Sequence, residues 1–342
     1  KGSSNLEYLD FSHLQTKEDL LHILTTLQHS QVQVKSLILC GCQYSPEAHD
    51  ALQKLIRGPD TKPAKPLKSL ELLDLSGMKE MSSEQVRDIV ETIGDDDVKL
   101  DCFTQDSTEI GGIEGTGFKI YLDGLNLNGK DLLPLISAFL NTDLNKWKSL
   151  SLNSNGMTTK DLNALFACLK RMKNLRELSL NNNFDSTMDG INVSLSKLLE
   201  LKKIAKISVA GGPEHKLQDK LDLLLNNIAR NPGKILELDI SNNNSQNSTI
   251  SNIKNILITE GLALRALYID GNCIPTTDSL VELAESAEKC KSLITFPFPV
   301  ADAQRIIKKL EKRQQKKIIQ KLSDIQIRFI QATINNRMKL NK

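Results

Sequence analysis

A chain of 342 residues with 39% hydrophobic and 25% charged residues has the composition of an ordinary soluble globular protein, and its net charge is only +2. Aromatic residues make up 4%, with a single tryptophan, so leucine and isoleucine must supply the core. The longest apolar runs, such as 204–209, fall far short of the roughly 20 residues that cross a bilayer as a helix, and no signal peptide precedes them. The opening Lys-Gly-Ser-Ser, without Met, reads as part of a longer chain.

The first elements are a short strand around Leu6, Leu9 and Phe11, a helix-period stretch at 16–27, a second strand around Val34, Leu37, Leu39 and Cys42, and a helix at 46–56. An interruption at 57–67, bearing Gly58, Pro59, Pro63 and Pro66, reads as a surface loop. Leu70, Leu73 and Leu75 then resume the pattern, followed by a helix at 83–93. A second interruption at 94–117 carries Asp95-Asp96-Asp97 and several glycines, with a degenerate coil near 100–102. Beyond it come Ile120 and Leu122 and a helix at 130–140.

From there the copies sharpen. Four segments fit L-x-x-L-x-L-x-x-N with Trp or Ile allowed at the leucine positions. They run Trp147, Leu150, Leu152, Asn155; Leu175, Leu178, Leu180, Asn183; Ile235, Leu238, Ile240, Asn243; and Leu264, Leu267, Ile269, Asn272. A weaker copy holds Ile204, Ile207 and Val209, and a degenerate one surrounds Leu293. Helix-period stretches follow at 159–169, 188–199, 217–229, 250–258 and 278–287. Thr16, Thr158 and Ser186, each three residues before an aspartate, read as N-caps.

Alternating Leu-x-Leu makes a strand with one buried face, because strand side chains alternate with period two. The asparagine at the ninth position turns the chain inward and satisfies backbone groups with its amide. The fold expected over 1–300 is therefore α/β: a leucine-rich-repeat solenoid, a horseshoe of about ten strand–helix repeats of 28–29 residues. The residues between the buried strand positions form an outward, concave face. Tyr8, Asp10, Asp74, Tyr121, Asp123, Glu177, Asp239, Tyr268 and Asp270 are its candidate protein-binding residues. Seven acids, counting Glu237, against Lys119 and Lys206 make it acidic, suited to a basic or amphipathic partner, though acids there also simply keep a sheet soluble.

Residues 301–342 break the pattern. They carry twelve basic and three acidic residues, an excess of nine, so 1–300 holds about −7 of the chain's +2. Ile307, Leu310, Ile318, Leu322, Ile325, Phe329 and Ile330 recur near helical spacing, which predicts a basic amphipathic helix or hairpin. Capping the open end of the solenoid is one role. Attraction to anionic lipid, a phosphoinositide membrane for example, is another, with Arg305, Lys308, Lys309, Lys312, Arg313, Lys316, Lys317 and Lys321 as the lipid-binding candidates. Nucleic acid is disfavoured, since Phe329 alone would offer stacking.

Nothing points to catalysis, a cofactor or a metal. Five histidines fall in no catalytic motif, and Asp239 with Asp270 is better explained as a soluble face. Gly111, Gly112, Gly115 and Gly117 lack the G-K-[ST] of a phosphate loop. Six irregularly spaced cysteines read as reduced, buried thiols in a reducing, cytoplasmic compartment. Arg57 is the one loop arginine that a GTPase regulator could use.

The stretch Leu293-Ile-Thr-Phe-Pro-Phe-Pro-Val-Ala-Asp-Ala303, with the preceding coil Leu264-Arg-Ala-Leu-Tyr-Ile-Asp-Gly-Asn272, resembles the repeat-to-helix junction of the CARMIL family of actin regulators. The resemblance implies a scaffold at the cell cortex or leading edge that couples membrane signals to an actin-nucleation regulator such as the SCAR/WAVE complex. It also implies a helical segment after the repeats that supports a homodimer, here 301–342. The family's pleckstrin-like, capping-protein-binding and proline-rich segments have no counterpart in these residues. The competing expectations are a repeat protein that binds or inhibits an unrelated cytosolic protein, and a GTPase regulator.

Overall fold

The computed structural model of the protein describes residues 5–30, 32–58, 67–103, 117–245 and 247–340. The chain forms two compact units, Lys1–Ser179 and Leu180–Lys342. The basic segment expected as a separate piece, 301–342, falls in the second of them. Most of the interruption at 57–67 and of that at 94–117 lies outside the described residues.

In the first unit strands and helices alternate: β1 (Asn5–Asp10), α1 (Lys17–His29), β2 (Gln33–Ile38), α2 (Pro46–Arg57), β3 (Leu72–Asp74), α3 (Ser83–Gly94), β4 (Phe118–Tyr121), α4 (Leu132–Asn141), β5 (Trp147–Ser151), α5 (Thr159–Leu169) and β6 (Glu177–Ser179). The strands pair in chain order and in parallel, with Leu9, Leu37, Leu73, Ile120, Leu150 and Leu178 in one inward row. Each helix lies beside the next, as a parallel crossover requires. The tryptophan sits at the centre, its ring edge-on to Phe118 and Phe139.

The second unit repeats the scheme with α6 (Ile191–Leu199), β7 (Lys206–Ser208), α7 (Leu221–Arg230), β8 (Glu237–Asp239), α8 (Asn247–Leu257), β9 (Ala266–Tyr268) and α9 (Thr277–Lys289). The degenerate copy at Leu293 contributes a single parallel bridge from Thr295 to Ala266. It is followed by α10 (Val300–Lys308) and the long α11 (Lys312–Leu340).

The predicted caps hold at Thr16 and Thr158, whose hydroxyls accept from Asp19 N and Asp161 N. Ser186 is a correction. It lies in the preceding turn, and α6 starts only at Ile191, after Gly190 in the left-handed conformation that a side chain would resist. The helices expected from 130 and 217 likewise open as 3-10 turns, so their α-helical parts begin at Leu132 and Leu221.

Behind the strands runs the set of buried amides that the ninth position predicted. Asn155 donates to Leu122 O (3.0 Å) and accepts from Leu125 N and Leu127 N (both 3.0 Å). Asn243 donates to Val209 O and Ile240 O, and accepts from Leu217 N. Asn272 donates to Ile240 O and Ile269 O (both 2.8 Å) and accepts from Asn243 N (3.0 Å). In the second repeat the Cys42 thiol takes this place and donates to Phe11 O at 3.1 Å. Gly212 holds it in the seventh, where an added Cβ would lie 1.8 Å from Asn182 Oδ1.

The last rung is Asp302, on α10 and 1% exposed. Its carboxylate accepts from Asn272 N (3.0 Å) and Ile274 N (2.9 Å) and pairs with Arg305 at 3.2 Å. Burial pushes its pKa up, partly opposed by those three donors.

Two predictions follow from buried polar groups. Asn272→Ala leaves the Ile269 carbonyl and the Asn243 N–H without partners and takes one of two donors from Ile240 O, so it should lower the unfolding free energy by about 3 kcal/mol in urea melts, against a small loss for an exposed control such as Asn335→Ala. His49 is buried against Tyr44, 3.0 Å from its hydroxyl, and burial holds its pKa below the ordinary histidine value. The unfolded chain therefore protonates first, and stability is lost as the pH falls below the ordinary histidine value of about 6.5. His49→Gln should flatten that part of a stability–pH curve for the first unit.

Candidate protein-interaction faces

Strand register fixes which outward residues stand side by side. In the first unit one row reads Tyr8, Ser36, Leu72, Lys119, Ser149, Glu177, and the next reads Asp10, Ile38, Asp74, Tyr121, Ser151, Ser179. Neighbouring strands are about 4.8 Å apart, so Asp10 and Asp74 are about 10 Å apart with Ile38 between them. Five acidic and aromatic candidates (Tyr8, Asp10, Asp74, Tyr121 and Glu177) thus fall on one sheet face, and Asp123 follows β4 beside them. Ser36, Ile38 and Cys40, contributed by the second repeat, belong to the same face; the frame Val34, Leu37 and Leu39 marks them as outward, but none is acidic or aromatic.

The chemistry of this face is uneven. Tyr8 is 59% exposed and donates to Asp10 Oδ2 at 3.2 Å, while Ser12 donates twice to Asp10 and keeps its pKa low. Tyr121 is half-buried, and burial together with the carboxylates of Glu177 and Asp74 raises its pKa. Asp74 and Glu177 stand on the strands either side of this part of the face, and Tyr8 is an exposed aromatic group three strands away on β1. Asp123 is tied down: it accepts from Ser151 Oγ (2.6 Å), Asn153 N (2.8 Å) and Asn153 Nδ2 (2.8 Å). Burial still raises its pKa. The outward serines Ser76, Ser149 and Ser151 are buried among these groups.

In the second unit Asp239 and Tyr268 share a row, and the row beside it pairs Glu237 with Lys206 at 3.4 Å. That ion pair offsets part of the acidity. Asp270 serves the fold. Its carboxylate accepts from Gly271 N (2.9 Å), Ala301 N (2.9 Å) and Asp302 N (3.3 Å), capping α10.

The basic candidates divide as well. Arg305 pairs with Asp302 and donates to Ile274 O, and Lys321 meets Asp278 at 2.7 Å. Arg313 pairs with Glu311 at 2.7 Å while remaining exposed. Lys308, Lys309, Lys312, Lys316 and Lys317 are exposed around the elbow between α10 and α11. The apolar residues expected to bury their helix do so at Leu322, Ile325 and Phe329, joined by Ala332. Phe329 packs on Phe296 and Phe298, with ring centres 4.8 and 5.6 Å away. Asn336 donates to Cys290 O and Leu293 O, and Arg328 meets Glu288 and Glu285, so α11 seals the last turn against α9. Ile330, expected in that buried set, points to solvent instead, along with Ile319, Ile327, Ile334 and Met338. A second helical phase in 319–338 was the available signal.

Other chemistry is sparse. The six cysteines are unpaired, and burial pushes Cys102 up to about 12 and Cys168 up to about 11, which keeps both as inert thiols. Arg57 stands in the last turn of α2, 3.5 Å from Asp95. Among the described residues no group of three His, Cys, Asp or Glu could hold a metal ion, and no helix is long and apolar enough to cross a membrane.

No protein-family model matches the sequence, and no curated protein matches it as a relative. Among solved structures, the crystal structure of the Rad7 and Elc1 complex in yeast contains a similar chain, at 16% identity and a TM-score of 0.46. The match covers 86% of this chain and 61% of that one, so this chain spans about three fifths of its length.

The two kinds of acid are separable by experiment. Asp270→Ala should cost about 1–2 kcal/mol, the loss of a helix cap, and shift the denaturation midpoint. Asp10→Ala, at an exposed position bonded only to its neighbours, should leave that midpoint where it was.

Proposed function

We propose that the protein is a non-catalytic, leucine-rich-repeat binding scaffold whose first unit takes a basic or amphipathic segment of a partner protein on its strand face. One observation supports this above others: Tyr8 and Tyr121 stand among Asp10, Asp74, Asp123 and Glu177 on a sheet face whose register is fixed by six paired strands. Aromatic rings give contact area at low entropic cost, and surrounding carboxylates select and steer a cationic partner.

The finer reading follows the resemblance at 293–303. The partner is an actin-assembly regulator of the SCAR/WAVE type, the setting is the cell cortex, and the basic elbow draws the protein toward anionic lipid. A horseshoe arrangement of the repeats belongs to the same reading.

The test is fluorescence polarisation with a labelled Lys-rich amphipathic peptide, followed by surface-immobilised binding of purified SCAR/WAVE complex. The double reversal Asp10→Lys, Asp74→Lys should weaken peptide binding by about tenfold or more at low salt, and Tyr8→Ala should speed dissociation. Glu237→Lys, on the second unit, serves as the comparison and should matter less. Equal binding by the wild type and the double reversal would refute the strand face as the site. Peptide binding without binding of the complex would leave the face and remove the actin assignment.

A further inference from the structure

The long helix α11 has two apolar faces, and only one of them is used by the fold. Leu322, Ile325, Phe329, Ala332 and Asn336 are buried against the last turn and α9. At 100° per residue these positions form one stripe. Ile319, Ile327, Ile330, Ile334 and Met338 form another on the far side of the helix, each between 47% and 56% exposed. Exposed large apolar residues are normal singly, but five aligned on one helix face of a sealed unit are not. The folding of the helix does not require them, since its packing face is complete without them.

The same exposed stripe continues toward the N-terminus of α11 through Ser323, Lys316 and Lys312, and Arg313 and Lys317 flank it. Lys308 and Lys309 end α10 immediately before it. Glu311 is the one acid in this elbow, and Arg313 answers it. An outward helix face with isoleucines at one end and unanswered ammonium groups at the other matches a boundary between hydrocarbon and anionic headgroups. A second copy is a poorer match. Five half-exposed side chains offer on the order of 400 Å² of apolar surface, well under the roughly 800 Å² per partner of a standard stable interface.

We propose that α11 lies flat on an anionic bilayer, with Ile319, Ile327, Ile330, Ile334 and Met338 entering the headgroup–acyl boundary and Lys312, Arg313, Lys316 and Lys317 at the headgroups. The inference deepens the lipid attraction in the reading above: it names the helix face, and it makes the contact an in-plane insertion in place of a headgroup pocket. Recognition is then by charge and lipid packing. Phosphatidylserine and a phosphoinositide at matched surface charge should serve equally, and small, highly curved vesicles should bind better than large ones.

Sedimentation of the whole chain with phosphatidylcholine vesicles, with and without phosphatidylserine, tests this directly. The expected result is pelleting only with phosphatidylserine, reduced by salt. Ile327→Glu with Ile330→Glu should cut partitioning about tenfold or more, as should Lys312→Glu with Lys316→Glu, while Val193→Glu, an exposed apolar residue of α6, leaves it unchanged. All of these positions are exposed, so circular dichroism should show every variant folded. Pelleting by the isoleucine variant at the wild-type level overturns the insertion. Binding that requires a phosphoinositide overturns it in favour of a headgroup site. No vesicle binding, with a concentration-dependent dimer in analytical ultracentrifugation that the isoleucine variant abolishes, gives the stripe to a second copy. The strand-face peptide assay involves none of these residues, so either result stands without the other.

Discussion

A buried peptide group without a partner costs between one and several kcal/mol, and stacked strand–helix turns create such groups at every passage from strand to helix. Here the buried amides of Asn155, Asn243 and Asn272 meet that constraint, each joining carbonyls of its own turn to a neighbouring turn. The spacing of the repeats follows from it. A turn stacks on the one before only if its asparagine arrives at the same depth, so residues per repeat vary little where the ladder is intact. Asp302 closes the series with a carboxylate, which also pairs with Arg305 on the helix that begins there.

Having a rigid row of strands decides what the surface can be. Outward residues on β2 to β5 have little room to rearrange, because each of these strands is registered by a neighbour on both sides. Polar residues there are used twice. Asp123, Ser151, Asn153 and Ser179 bond one to the next across three strands, as Asn181, Ser208 and Asp239 do in the second unit. These links stiffen the face, on which Tyr8 and Asp10 are exposed to solvent. Pre-ordered side chains lose little entropy on binding, which favours recognition of a flexible or helical partner segment.

The C-terminal helix shows the same economy of elements. One face completes the core of the second unit through Phe329 and Asn336, and the other offers a stripe that none of the described residues covers. Its length sets what that stripe can touch. Twenty residues, 319–338, extend for about 30 Å, enough to meet a surface along a line instead of at a point.

The sequence by itself determined the strand and helix order, the inward leucines and isoleucines, and the amide positions, because each repeat states its own pattern locally and states it many times. Most strand-face residues were legible for the same reason: period-two alternation assigns them once the inward frame is known. Spacing could not show which acids were engaged. Asp10 and Asp270 both fall at outward frame positions, two places apart in the repeat, yet Asp270 caps α10 and Asp10 meets solvent, a difference made by a helix thirty residues beyond Asp270. Ser186 had the composition of a cap but not the backbone, which turns into α6 only at Gly190. In α11 the apolar residues of both stripes are chemically alike. Only the tertiary structure decided which stripe would be buried, because burial depends on what the helix meets, and that is not written in its own turn-by-turn pattern.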